Sequence, residues 1–274
     1  MAYSDKADHT IARVINNYSE YKYPLHKALE MKDEEAVRIM INDMKNPNVV
    51  DGDGNNALHM AAWHGCSVPL FGRILDKIKD VNAGNKQNRT AITIALAEKH
   101  LDLVESLLKV EGIDVDRADN VTGKNALHWA STRLCGTHLY KQILYKIKNV
   151  NAKTAYPPKG LGKTALMLAV SNDLRDMVIL LLGHPNIDVN MQDEYNWSTA
   201  LHFAVSYDRR YILQLLLNDE RIKTTIKNRD GRTPLEHAKG QIRKECISIL
   251  EEHEERTQSK KVTPSMENKC TLRF

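Results

Sequence analysis

Only four cysteines, at 66, 135, 246 and 270, are spread over 274 residues, and no two stand in a CxxC pair. That spacing excludes a zinc-ligand cluster and the dense disulfide framework of small secreted domains, and it points to a reducing, cytoplasmic compartment. No stretch approaches the roughly 18 consecutive apolar residues of a membrane-crossing helix, so no membrane contact is expected. The polar, charged opening Met1 to Asp8 carries no secretory leader pattern. Neither a helical HExxH pair nor a GxSxG elbow occurs, and the expectation is therefore no catalytic set, no cofactor and no metal. Net charge is small, at +4. Residues 221 to 274 hold 13 Lys/Arg against 8 Asp/Glu, a balance of +5, which leaves −1 for everything before. Those cations alternate with acids, so nucleic-acid binding through the basic C-terminal region is the lesser alternative.

What is present is a repeated phrase. It reads Pro-Leu-His at Pro24, Ala-Leu-His at Ala57, Ala-Ile-Thr at Ala91, Ala-Leu-His at Ala126, Ala-Leu-Met at Ala165, Ala-Leu-His at Ala200 and Pro-Leu-Glu at Pro234. The intervals are 33, 34, 35, 39, 35 and 34 residues. An aliphatic pair follows each phrase by about 16 residues, from Met40-Ile41 through Leu181-Leu182 to Ile249-Leu250. A fixed period near 33 marks stacked helical units that share one continuous core, and it favours a binding surface over an enzyme.

Several units close on Asp80-Val81-Asn82, Asp114-Val115-Asp116, Asn149-Val150-Asn151 or Asp188-Val189-Asn190. With the preceding Gly-x-Thr/Asn-Ala/Pro-Leu-His, this resembles the ankyrin repeat over roughly residues 21 to 254. The resemblance implies an all-α solenoid of about seven helix–turn–helix repeats, with a histidine that bridges backbone groups of adjacent turns. It also implies a concave groove, made of turn tips and first helices, that holds a protein partner.

The residues give the same architecture independently. Gly54, Gly123, Gly162 and Gly231 precede the first helix where the turn needs positive φ. Asn56, Thr90, Asn125, Thr164, Thr199 and Thr233 are helix N-cap residue types. Pro24 and Pro234 fall at the first helical position, where no N–H is missed. Cys66 and Cys135 occupy one place in their repeats, between the helices, as small apolar fillers. Ile11, Val14, Ile15 and Tyr18 share one helix face, which makes 1–20 a capping helix ahead of a repeat domain over 21–254. Residues 255–274 are polar, contain Pro264 and lack periodicity, so disorder is expected there.

The 39-residue interval places an insertion near 153–162, including Tyr156-Pro157-Pro158-Lys159-Gly160, on the turn before the fifth repeat. It is either a partner contact or a tolerated surface insertion. Gly160-Leu161-Gly162-Lys163-Thr164 reads like the end of a phosphate-binding loop, but proline occupies position 157, where that motif needs glycine, and no strand precedes it. His26, His59, His128 and His202 recur once per repeat and so cannot converge on one metal ion.

Register from the shared phrase makes Trp63, His64, Lys86, Arg89, Lys124, Arg133, Tyr195, Tyr207 and Arg232 groove-facing, together with Asn55, Lys163 and Ser198. Trp, Tyr and Arg among them are the residue types that dominate binding hot spots. Trp197 stands where other repeats have glycine, either as an exposed anchor or packed on its neighbour. Trp129 and Phe203 fall in an apolar column with Met60, Ile94 and Leu168 and are assigned to the core between repeats. The expected activity is that of a monomeric, non-enzymatic scaffold for a protein partner. The acidic run Glu251 to Glu255 resembles the terminal block of effectors that intracellular bacteria deliver by type IV secretion into a host cell; a charged helix end explains it equally, and a eukaryotic adaptor is the competing setting.

Overall fold

The computed structural model describes residues 11–14, 16–42, 48–155 and 161–262, with side chains to 259. Ile15, residues 156–160 of the insertion, Cys270 and the tail beyond 262 lie outside the described residues. The chain divides into two compact units, Met1–Asn149 and Val150–Phe274.

In the N-terminal unit, helical residues 11–14 and 16–18 form α1, followed by four helix pairs. These are α2 (Pro24–Glu30) with α3 (Glu34–Asn42), α4 (Ala57–His64) with α5 (Val68–Lys77), α6 (Ala91–Glu98) with α7 (Leu101–Leu108), and α8 (Ala126–Ala130) with α9 (Thr137–Lys146). The C-terminal unit holds α10 (Ala165–Ser171) with α11 (Arg175–Leu182), α12 (Ala200–Ser206) with α13 (Arg210–Leu217), and α14 (Pro234–Gly240) with α15 (Lys244–Val262). Among the described residues the only non-helical pairing is an isolated antiparallel bridge, Lys153 with Thr164.

Each first helix starts where its sequence says it should. Asn56, Thr90, Asn125, Thr164, Thr199 and Thr233 are the N-caps, each extended, each in a reciprocal pairing with the third helical residue. Such a cap satisfies two backbone N–H groups that the helix cannot, and is worth about 1 kcal/mol. First helices then pack on first helices, α2 on α4 on α6 on α8 and α10 on α12 on α14. Close approach is possible because Ala61, Ala62, Ala95, Ala130, Ala169 and Ala204 are fully buried at the contact. Second helices stack in parallel, and their buried Ile74, Leu107, Ile143, Leu181 and Leu216 fill the layers. Burial of each such side chain contributes about 1.5–3 kcal/mol.

The ends differ in detail from expectation. At the front, Val14 and Tyr18 are buried while Ile11 is exposed, and the Tyr18 hydroxyl donates to Asp33, which in turn caps Ala36 of α3. At the back, α15 runs to Val262, so residues 255–262, expected to be disordered, are helical. Glu251 pairs with Lys239 and Glu252 with Arg256, which gives half of the acidic run a place in the fold.

Candidate functional site

The turns that lead into the first helices are built alike. In each, one N–H donates to the carbonyl of the residue just before the N-cap: Asp51 to Asn55, Asn85 to Arg89 and Asp119 to Lys124 in the N-terminal unit, then Thr154 to Lys163, Asp193 to Ser198 and Asn228 to Arg232, at 2.9–3.1 Å. The loop closed by Thr154 and Lys163 is the long one, and the Lys163 N–H returns a bond to the Thr154 hydroxyl at 3.0 Å. Neighbouring tips are tied by single backbone bonds, Lys86 N–H to Asp53 O and Asn120 N–H to Gln87 O in one unit, Glu194 N–H to Leu161 O and Arg229 N–H to Asn196 O in the other.

The phrase histidines fix these tips from beneath. His26 Nε2 lies 2.7 Å from Asn55 O, His59 Nε2 3.0 Å from Arg89 O and from Ala83 O, and His202 Nε2 3.0 Å from Arg232 O. Their other nitrogen accepts the N-cap N–H, from Asn56 in His59 and Thr199 in His202, which selects the neutral tautomer protonated on Nε2. Burial pushes the pKa of both imidazoles below the ordinary value of 6.5. The bridging role implied by the resemblance is thus present in the geometry. Where histidine is replaced, Thr93 accepts the Thr90 N–H and donates back to its carbonyl, and the Met167 sulfur accepts from Thr164.

On this scaffold the candidate residues separate by depth. Trp63, Tyr195, Trp197 and Tyr207 are 39%, 47%, 55% and 46% exposed. Lys86, Arg133 and Arg232 are exposed, and His64, Arg89 and Lys124 are half-buried. Two positions read as outward are buried instead. Asn55 turns inward to bond Asp51 and Asn85, and Ser198 is held by its N–H to Asp193. His64 belongs to another place, a cavity of about 320 Å³ walled by Glu34, Val37, Cys66, Leu70, His100 and Asp102 at the helix-joining turns. Burial raises the Cys66 thiol to about 12 and the Cys135 thiol to about 11, which leaves both inert, as fillers should be.

Trp197 keeps the glycine conformation without being glycine, at φ 54°, so the sixth turn retains its shape and carries the indole outward. Phe203 is buried as expected, whereas Trp129 is only half-buried. Each ring carries a cation on its face: Lys124 Nζ lies 4.3 Å from the Trp129 centroid and Lys163 Nζ 4.4 Å from that of Phe203. Lys163, the residue that would meet phosphates in a phosphate-binding loop, is therefore engaged with an aromatic ring. Register alone did not reveal these lids, because they depend on side-chain reach.

Between α12 and α14 a cavity of about 240 Å³ is lined by Phe203, Ser206, Tyr207, Arg229, His237 and Gln241. Ser206 Oγ lies 2.8 Å from His237 Nε2, with Gln241 Nε2 at 3.1 Å from the same nitrogen. Nδ1 of His237 is buried without a partner among the described residues. A hydroxyl–imidazole pair lacking a third group to orient the base is a structural contact and not an activated nucleophile.

Family profiles match most of this array. One, ankyrin repeats in three copies, covers residues 67–154, 120–193 and 135–228, and another, ankyrin repeats in many copies, covers 25–71. The nuclear factor NF-kappa-B p105 subunit of Gallus gallus is 28% identical over 209 residues, 74% of this chain and 20% of that protein. The E3 ubiquitin-protein ligase KEG of Arabidopsis thaliana is 24% identical over 235 residues, 83% of this chain and 14% of that protein. The chain thus spans a fifth or less of either relative. The solved ankyrin repeat domain of Bcl-3, a member of the IkappaB protein family, superposes with a TM-score of 0.67 at 24% identity, over 83% of this chain and 97% of that one, a likeness of fold.

Proposed function

Because the chain belongs to the ankyrin repeat family, whose repeats form protein–protein interaction domains, we propose that it is a non-enzymatic scaffold that holds a protein partner on the turn-and-first-helix face of its units. The observation that carries this reading is the exposure of Tyr195 and Trp197 on a tip whose backbone is tied on both sides, and of Trp63 and Tyr207 at the C-terminal ends of the first helices α4 and α12. Large aromatic side chains left in water on a stiff support lose little entropy on contact and bury much area. No helix of the described residues is long and apolar enough to cross a membrane, and no His/Cys/Asp/Glu group there could hold a metal.

The test is partner capture from a eukaryotic cytosolic lysate, wild type beside a Trp63→Ala, Arg133→Ala, Tyr207→Ala variant of equal melting temperature. A protein kept by wild type and lost by the variant is the predicted result; matching eluates would move the contact to the second helices or to the C-terminal region. The finer role, a secreted effector acting in a host cell, is tested separately by delivery of the chain with Glu254 and Glu255 changed to Gln, since Glu251 and Glu252 are already engaged in ion pairs. Unchanged delivery would remove the acidic run as a signal and leave the regulatory adaptor.

A further inference from the structure

One position in the turns is occupied with a bias toward cations. The residue just before each N-cap has its carbonyl consumed by the turn closure and, in three turns, by the histidine below. Its backbone is therefore fixed, while its side chain varies: buried at Asn55 and Ser198, laid on a ring at Lys124 and Lys163, half-buried at Arg89 and exposed at Arg232. In the six turns this residue is Asn55, Arg89, Lys124, Lys163, Ser198 and Arg232, four cations and no acid. A chain with 39 cations and 35 acids gives no reason for that bias. Arg89, Lys163 and Arg232 enter no ion pair among the described residues, although ion pairs form elsewhere in both units. Lys124 and Lys163 are parked on aromatic faces, which costs a lysine much of its rotamer freedom in advance.

In the N-terminal unit Arg89 and Lys124 stand on consecutive turns joined by the Asn120 to Gln87 bond, with Lys86 and Arg133 exposed on the same two repeats. Packed helices repeat at about 8–10 Å. An extended chain in the polyproline II conformation advances about 3.1 Å per residue with three residues per turn. Side chains three residues apart in such a segment share one face about 9 Å apart and therefore match one cation per repeat.

Resting on the reading of this face as the contact surface, we propose that the third and fourth repeats recognise an extended acidic protein segment, with carboxylates at i and i+3 placed on Arg89 and Lys124. Arg89 carries a planar guanidinium, the group that donates two parallel bonds to a carboxylate. Lys124 holds its charge between the Trp129 face and the second carboxylate. A nucleic-acid strand would present phosphates at every step and would need a denser basic surface than two repeats supply.

The probe is a labelled twelve-residue Gly/Ser peptide bearing two glutamates at i and i+3, measured by fluorescence anisotropy against the full chain. Its controls are the isomer with adjacent glutamates, the version with both changed to Gln, and a single-stranded oligonucleotide of equal length. The protein variants are Arg89→Gln with Lys124→Gln, and a charge-matched control, Arg73→Gln with Lys141→Gln, at exposed positions of α5 and α9. Gln keeps most of each aliphatic stem, and melting curves confirm that both variants fold. The spaced peptide is expected to bind at least about threefold tighter than its isomer, and to lose about tenfold on Arg89/Lys124 replacement but under twofold in the control. A charge reversal, Arg89→Glu with Lys124→Glu, should transfer binding to a peptide with lysines at i and i+3. Absence of binding, equal loss in both variants, equal binding of the isomers, or tighter binding of the oligonucleotide would each overturn the proposal. Should the Gln peptide bind equally well and be lost with Arg89 and Lys124, the face would stand as a contact surface and its acidic preference would fall. Loss only in the Arg73/Lys141 variant would remove the face itself.

Discussion

The fourth and sixth turns, one in each unit, have the same length and backbone but opposite tips. Asp119 closes the first onto Lys124 and Asp193 closes the second onto Ser198. Both aspartates are buried and turn their carboxylates onto the loop's own donors, Val121 and Thr122 N–H with the Thr122 hydroxyl in one, Asn196 and Ser198 N–H in the other. The residue that needs positive φ is Gly123 in the fourth turn, at 66°, and Trp197 in the sixth, at 54°. A left-handed residue with a side chain costs about 1–2 kcal/mol relative to glycine. That a tryptophan adopts it shows that the aspartate's bonds, and not the glycine, impose the conformation. Strain of this kind persists where the surroundings over-determine it, and it clusters at contact sites. The fourth turn instead keeps its glycine and places its charge beside it, on Lys124.

Breaking what supports both turns should have the largest effect. Leu181→Ala, in the fully buried layer of the C-terminal unit, is expected to cost about 2–5 kcal/mol in chemical denaturation, against no more than about 0.5 kcal/mol for Trp63→Ala at the surface. Asp119→Ala and Asp193→Ala come next, at about 2–3 kcal/mol each, because each strands backbone donors that had a charged acceptor. If Asp193→Ala were much milder than Asp119→Ala, the Trp197 turn would owe its shape to something other than its aspartate.

Acid should separate the buried histidines from the tips. His59 and His202 are held neutral in the fold, whereas in the unfolded chain they titrate near 6.5. As pH falls below that value the unfolded state binds protons that the native state refuses, so stability is present in full at pH 7 and declines toward pH 5. The melting temperature is therefore expected to drop over that range, and His59→Thr with His202→Thr, copying the arrangement of Thr93, to flatten the drop. A slope unchanged by the double variant would place the titration elsewhere.

The smallest effect sharpens the comparison most. Gly123→Ala should destabilise by about 1 kcal/mol, while Trp197→Gly should leave stability within about 1 kcal/mol of wild type, since relief of strain offsets the greater backbone freedom of glycine. Partner binding should nevertheless weaken with Trp197→Gly. Clear destabilisation would instead mean that the indole packs as structure.

Much of this was legible in the sequence because stacking repeats one solution. Seven phrases in register predicted the helix starts, the capping residues and the alanine contacts, each forced by a local rule that recurs. Depth within the turns was less legible. Asn55 and Ser198 occupy positions that look outward by register, yet the Asn55 amide oxygen accepts from Asn85 of the next turn and the Ser198 N–H donates to Asp193 of its own, pairings that no period reports. The lids of Lys124 and Lys163 were hidden for the same reason. The extent of α15 was missed because periodicity alone was read, whereas residues 251–262 hold good helix formers and an i,i+4 pair, Glu252 with Arg256. His64 was placed by register on the groove but faces a cavity at the opposite ends of the helices.

Amide hydrogen exchange on the chain with and without its captured partner tests the central claim most directly. Protection is predicted to rise in the turn tips, around 86–89, 121–124 and 194–198, and at the ends of α4 and α12 beside Trp63 and Tyr207. Protection that instead rises along α5, α7, α11 and α13, with the tips unchanged, would contradict the assignment of the contact to the turn-and-first-helix face.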